Sequence, residues 1–429
     1  MSLIGRLVNT LLSKGSITLI TPGKSPETLG AGGGKHLTVR FADRKVGFDI
    51  ARNPRLGFGE AYMDGRLLIE DGTILDLMEM VVGANRWEDS GEGRKAMSRG
   101  HRTLKRLLST NNLKRARRNV AHHYDLSDEL YDLFLDSDKQ YSCAYWTDPK
   151  NETLEQAQLN KKAHIAAKLA LEPGQRVLDI GCGWGGMALF LHKVAKVDVL
   201  GVTLSEHQLK IARQRAAAAG VSDHVKFELI DYRNLSDRFD RIVSVGMFEH
   251  VGSDHYDEFF FKCRELLKPD GVMLLHTIGK LGETSKAPDP FTDKYVFPGY
   301  HLPSLSEMTT ASEHARLMAS DVEMLRVHYA YTLRHWMKRF LDARETVVKM
   351  YDERFVRMWE YYLAGGIVMF ESGAACNYQV QYLRDRNAVP ITRDYMAEAE
   401  QRYRELGGAD GAPAKKASRP RSKTLESAD

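Results

Sequence analysis

The apolar residues of this chain change their spacing several times, and each change marks an element. Leu3, Ile4, Leu7, Val8, Leu11 and Leu12 recur at helical intervals. They predict a one-sided N-terminal helix that either docks on its own domain or lies on a membrane surface. After the Gly-rich run at 30–34, HLTVRF and KVGFDI each alternate apolar and polar residues around ADRK. That period of two predicts a β-hairpin burying Leu37, Val39, Phe41, Val46, Phe48 and Ile50 on one face. GEAYMDGRLLIEDGTILDLMEMVV follows with turn glycines and then helical periodicity. Residues 1–92 therefore read as a small α+β domain, followed by a connector at 93–118.

From about residue 119 the pattern becomes strands alternating with helices. Strands are expected at 176–180, 197–202, 225–229, 241–245 and 271–277, with helices at 187–194, 205–219 and 256–267. This alternation over 119–408 is the signature of a parallel sheet covered on both faces. The segment 409–429 is small, polar and charged, and is expected to be disordered.

Composition narrows the class. With 429 residues, 43% of them hydrophobic and 28% charged, the chain can bury two or three domain cores. No run approaches the ~18–20 apolar residues of a spanning helix. Arg6 and Asn9 interrupt the first apolar run, so a secretory leader is not expected. Cys143, Cys182, Cys263 and Cys376 lie far apart without a C-x-x-C pair, which argues against a disulfide scaffold or metal ribbon and for a reducing cytoplasm.

The net charge is only +4, yet residues 94–118 hold ten Lys/Arg and no acid. The rest of the chain is therefore net acidic. Such a segment is drawn to an anionic membrane surface by ~1 kcal/mol per cation. A solvated connector helix is the plainer reading. Nucleic-acid binding is disfavoured, because no aromatic residue is interleaved.

VLDIGCGWGG at 177–186 places Gly181, Gly183 and Gly185 at a strand-to-helix turn, where a ligand can approach bare backbone. Asp179 stands at the strand end, suited to the positive or hydroxyl-bearing end of that ligand. A nicotinamide site would need an acid about 20 residues on. The corresponding residue is Thr203, and the glycines are spaced G-x-G-x-G. The pattern favours S-adenosylmethionine over nicotinamide, with a purely structural turn as the other reading.

Eight motifs occur in one order: HYDLSDELYDLFLD (123–136), QYSCAYW (140–146), VLDIGCGWGG, GVTLSEHQ (201–208), FDRIVSVGMFEHVG (239–252), LLHTIG (274–279), KYVFPG (294–299) and HYAYTL (328–333). Together they resemble the cyclopropane-fatty-acyl-phospholipid synthases and the related mycolic acid cyclopropane synthases. GFGEAYMDG also resembles the N-terminal domain of the phospholipid enzymes. The resemblance implies a Rossmann-like α/β methyltransferase sheet with an added lipid-binding layer, behind a small α+β N-terminal domain. It implies transfer of a methylene group from S-adenosylmethionine to the cis double bond of membrane phospholipid acyl chains. The methylated alkene is a carbocation, and loss of a proton from the new methyl closes the ring.

By the same resemblance Tyr141, Ser142, Asp179, Gly181, Cys182, Gly183, Gly185, Thr203, Leu204, Ser205, Gln208, Asp231 and Tyr232 hold the cofactor, with Tyr124 close by. A bound bicarbonate ion is the expected proton acceptor, met by Cys143, Glu249, His276, the backbone of Ile278, and Tyr329; Tyr331 is close enough to Tyr329 to compete for that place. A carboxylate beside bicarbonate implies a shared proton. His122, His123, His250, Trp184 and Tyr145 read as structural, although the last two could shape the cofactor pocket. The family also implies a homodimer working in the cytoplasm on the inner face of the cell membrane.

Two positions depart from the family. Gly365 and Gly366 follow YYL where relatives carry a cysteine, and Cys376 is not equivalent to it, which puts a covalent cysteine mechanism in doubt. Tyr300 and His301 replace smaller residues after FPG. Sister enzymes that leave a methyl-branched or methylene chain share these motifs, and a lipid-binding module with an inactive methyltransferase part is the reading from another class.

Overall fold

The computed structural model describes residues 15–81, 86–88, 126–281 and 288–408, with Gly5 and Leu12 besides. Tyr124, His122, His123, the basic segment 94–118, the tail 409–429 and all of the N-terminal apolar stripe but Leu12 lie outside the described residues.

Four short strands form the first sheet: β1 (Gly15–Ile20), β2 (Glu27–Gly32), β3 (His36–Phe41) and β4 (Leu67–Ile69), in the order β2-β1-β3-β4. β1 runs antiparallel to β2 and parallel to β3. Alternation works as expected here, burying Ile17, Leu19, Leu37, Val39 and Phe41 against Ile74, Leu77 and Met78 of the helix Ile74–Val81.

The second half of the expected hairpin is not a strand. Val46–Arg52 is an α-helix. Val46 and Ile50 fit both periods, since they lie four residues apart. Phe48 separates the two readings, and it is 67% exposed rather than buried. Asp43 is the physical cause. Its Oδ1 accepts the backbone N–H groups of Lys45 (2.7 Å) and Val46 (3.2 Å), satisfying donors that a helix start leaves open. Arg66 clamps the same carboxylate through Nε (2.8 Å) and Nη2 (2.9 Å).

The second sheet has seven strands: β5 (Arg176–Ile180), β6 (Asp198–Thr203), β7 (Val225–Leu229), β8 (Phe239–Val245), β9 (Leu267–Lys280), β10 (Met318–Met324) and β11 (Ala375–Leu383). Their order is β10-β11-β9-β8-β5-β6-β7. β5 to β9 are parallel, while β11 is antiparallel to both neighbours. One face is covered by the helices Leu154–Lys168, Gly186–Ala195, Glu206–Ala218 and Asp394–Gly408, the other by Tyr256–Leu266 and Leu305–His314. This is the parallel-rich methyltransferase sheet expected from the motifs. The chain leaves β5 to opposite sides, toward β6 and later β8, so a crevice opens above their carboxyl ends.

The helices His328–Asp342 and Glu353–Glu371 add a further layer, and they share one core with the N-terminal sheet: Leu37, Phe41, Trp336, Trp359 and Phe370 belong to the same cluster. Polar bonds fasten this junction. Tyr62 donates to Glu360 Oε2 at 2.8 Å, Lys294 meets Glu60 at 2.6 Å, and Arg357 Nε donates to the Met63 carbonyl at 2.9 Å. No described helix is long and apolar enough to cross a membrane.

Candidate active site

The crevice over β5, β6 and β8 is lined by seven of the expected cofactor residues: Gly181, Gly183, Thr203, Leu204, Gln208, Asp231 and Tyr232. Gly183 has φ +54°, and a Cβ there would meet nothing within 4 Å, so its backbone opens toward the crevice. Gly185 serves a different purpose. It caps the helix Gly186–Ala195 at φ +82°, and a Cβ would come within 2.6 Å of the Phe227 ring.

Asp179 is buried near the end of β5, and its Oδ2 has no hydrogen-bond partner among the described residues. Burial raises its pKa to about 7, against the opposing field of Lys161. An unpaired buried carboxylate oxygen beside open glycine backbone suits a ligand with a cationic or hydroxyl-bearing end. The fit to S-adenosylmethionine is therefore good. Thr203, Ser205 and Gln208 build the next loop. Thr203 Oγ1 accepts the Ser205 N–H at 3.1 Å, and Ser205 Oγ accepts the Gln208 N–H at 3.3 Å, capping the helix Glu206–Ala218. Asp231 is tied through both oxygens to Arg233, at 2.9 and 2.8 Å. Tyr232 packs edge-on to Phe259. Cys182 is buried, and burial pushes its thiol far up, so it stays protonated.

Glu249 sits on a helical turn, Phe248–His250, next to the crevice-lining His250. Its Oε1 accepts the Ile278 N–H at 2.7 Å, while Oε2 is buried without a partner among the described residues. Burial raises this carboxyl to about 7. Cys143 is wholly buried; its Sγ donates to the Ala144 carbonyl at 3.3 Å, and burial holds the thiol protonated. His276, on β9, lies between Asn377 Nδ2 (3.0 Å) and Gln379 Nε2 (3.2 Å), and burial keeps the ring neutral. A neutral imidazole offers one donor and one acceptor, so one of the two amides turns its oxygen to the ring. Both amide oxygens otherwise lack partners.

Of the two candidate phenols, Tyr329 is the buried one, while Tyr331 is 37% exposed. Tyr329 packs on Trp336 and Phe370. Tyr141 joins this aromatic wall, 5.1 Å from Trp336 between ring centres, with its hydroxyl 3.4 Å from that of Tyr362.

Other residues line the crevice without a cofactor role assigned to them from the sequence. His250 lines the crevice, and burial lowers its pKa to about 4. Gly246 and Met247, within FDRIVSVGMFEHVG, and His255, three residues beyond it, line it too. Ser142 faces a buried lysine, Lys161, which the sequence left unremarked. Trp184 Nε1 donates to Asp128 at 3.0 Å, and Tyr145 stacks between His164 and His328.

The sheet order, the glycine turn and the crevice define the S-adenosylmethionine-dependent methyltransferase class. Within it, residues 111–380 match the family described as Mycolic acid cyclopropane synthetase, and the chain belongs to that family. The chain is 38% identical over 393 residues to the cyclopropane-fatty-acyl-phospholipid synthase of Escherichia coli K12, covering 90% of this chain and 96% of that one. It is 34% identical over 354 residues to the tuberculostearic acid methyltransferase UfaA1 of Mycobacterium tuberculosis, covering 78% and 80%. Among solved structures, the cyclopropane synthase MmaA2 of Mycobacterium tuberculosis superposes with a TM-score of 0.60 at 31% identity, over 64% of this chain and all of that one. The mycolic acid cyclopropane synthase CmaA1, solved with SAH and CTAB, gives 0.59 at 34% identity, over 62% and 98%. The protein is an S-adenosylmethionine-dependent methyltransferase, and its likeness to the cyclopropane-fatty-acyl-phospholipid synthases runs nearly end to end.

Proposed function

We propose that this enzyme transfers a methylene group from S-adenosylmethionine to the cis double bond of unsaturated phospholipid acyl chains, forming cyclopropane fatty acids. The observation that carries this reading is the buried Glu249 carboxyl, its Oε1 held by the Ile278 N–H and its Oε2 unpaired among the described residues, on the turn next to crevice-lining His250. S-adenosylmethionine supplies an electrophilic methyl group. An alkene has no proton to remove beforehand, so the protein's tasks are alignment, exclusion of water and late proton acceptance. Tyr141, Tyr329, Trp336 and Tyr362 belong to one buried aromatic cluster, the kind of surface that excludes water and tolerates developing positive charge.

Bicarbonate fits as the proton acceptor. Glu249 can share its proton with that anion through Oε2, and the Tyr329 hydroxyl is a further donor type, while the Cys143 thiol already donates to the Ala144 carbonyl. The Ile278 N–H orients the carboxyl, and His276 supports the site from β9. The residues assigned to the cofactor are those of the crevice and its rim, with Asp179 as the buried anchor.

The enzyme works from the cytoplasm as a homodimer on the anionic inner face of the cell membrane, which the basic segment 94–118 contacts. Incubation with labelled S-adenosylmethionine and cis-monounsaturated phospholipid vesicles, followed by mass spectrometry and NMR of the fatty acids, tests the reading. A labelled cyclopropane is expected. A methyl-branched or methylene chain would replace it with the second reading, which likeness to a tuberculostearic acid methyltransferase favours. Absence of label in lipid would leave a lipid-binding module.

A further inference from the structure

Lys161 lies in the helix Leu154–Lys168 and is wholly buried. Its Nζ donates to Gln140 Oε1 at 2.6 Å and to Ser142 Oγ at 2.8 Å. One turn earlier, Gln158 Nε2 donates to the backbone carbonyls of Gln140 (3.1 Å) and Ser142 (3.0 Å). One helix face thus holds both the side chains and the backbone of the strip from which Tyr141 and Cys143 project.

The strip is joined to the glycine turn. A Cβ on Gly186 would come within 2.4 Å of Gln140 Nε2 and 2.6 Å of Asp138 Oδ2. Asp138 is gripped by Lys162 and Arg215, and Arg215 also donates to the Trp184 carbonyl at 2.8 Å. A neutral donor could make the bonds of Lys161. Its charge adds something they do not. The ionisable groups around it are Asp136, Asp138, Lys162 and Cys143. On the crevice side its field acts on Asp179, the unpaired carboxylate, and it also bears on neutral His276. Burial lowers Lys161 only to about 8, which leaves it cationic at neutral pH.

We propose that Lys161 is a positioning residue for methyl transfer: it fixes the strip carrying Tyr141 and Cys143 against the glycine turn, and it sets a buried positive charge whose field reaches Asp179, the anchor assigned to the cofactor. The inference rests on the assignment of Asp179 to S-adenosylmethionine.

Calorimetric titration of the full-length protein with S-adenosylhomocysteine between pH 5.5 and 8.0 tests it. Wild type is expected to bind more weakly as Asp179 protonates below about pH 7. Lys161→Met and Lys161→Gln should shift that decline upward by about one pH unit, giving about tenfold weaker binding at pH 6 that narrows to about twofold at pH 8. Gln158→Leu loses two hydrogen bonds to the strip but keeps the charge, so its decline with pH should fall at the wild-type position. Lys161→Gln retains an amide donor for the strip and carries the test where Met does not fold. Lysine variants whose profiles run parallel to wild type, or coincide with it, would overturn the proposal. Wild type that fails to bind S-adenosylhomocysteine would instead remove the assignment of Asp179 beneath it.

Discussion

Glu249 and Ile278 are coupled by one short bond: the backbone N–H of Ile278 donates to Oε1 at 2.7 Å, leaving Oε2 buried and open. The strand end thereby fixes which carboxyl oxygen stays unpaired among the described residues. Glu249→Gln keeps an oxygen for Ile278 but cannot accept a proton. It is expected to bind S-adenosylhomocysteine as wild type does and to form cyclopropane at least ~100-fold more slowly. Calorimetry and product analysis in bicarbonate-supplemented assays check this; equal turnover would sink the role.

The same substitution has a signature in stability. The folded pKa of Glu249, about 7, lies above its ordinary 4.5, so the native state holds a proton that the unfolded chain has lost. The contribution is fully present below about pH 4.5 and is lost as pH rises through 7. Glu249→Gln has no such proton to lose. It should match wild type near pH 4 and exceed it by up to about 3 kcal/mol at pH 8, measured by denaturant unfolding.

Tyr329 is buried against Trp336, whereas Tyr331 reaches the surface. Tyr329→Phe should lower ring formation by about tenfold or more, while Tyr331→Phe should leave it within twofold. The reverse order would move the role to Tyr331.

The helix Val46–Arg52 makes opposite demands at two neighbouring apolar residues. Val46→Ala empties a fully buried position and is expected to cost about 1–2 kcal/mol. Phe48→Ser changes an exposed one and should stay within about 0.5 kcal/mol. Equal losses in urea unfolding would restore the hairpin.

Reversing Arg102, Lys105 and Arg106 to Glu should weaken binding to anionic vesicles, with the largest loss at low salt. Unchanged flotation with such vesicles would rule out the segment as the contact.

Much of the catalytic half is legible because its strands are buried on both faces. Arg176–Ile180 reads as a strand from a continuous apolar run closed by glycines, and the helices between strands carry one period only. KVGFDI failed because four-residue spacing satisfies two periods, and a side-chain bond from Asp43 decided between them. Lys161 failed for a different reason. In NKKAH it looks like half of a solvated lysine pair, and only the three-dimensional return of Gln140 and Ser142 buries it. His250 reads as structural because a histidine at a turn has no sequence mark for facing a crevice.

The bond from Tyr62 to Glu360 spans 298 residues of chain. At roughly 5–20 residues per second, the ribosome needs on the order of 15–60 s to deliver the second partner after the first. Through that interval the first sheet has emerged without the helix Glu353–Glu371 that completes its core. The order of synthesis therefore leaves the N-terminal layer waiting for nearly the whole protein, with an apolar face uncovered until the helix Glu353–Glu371 arrives.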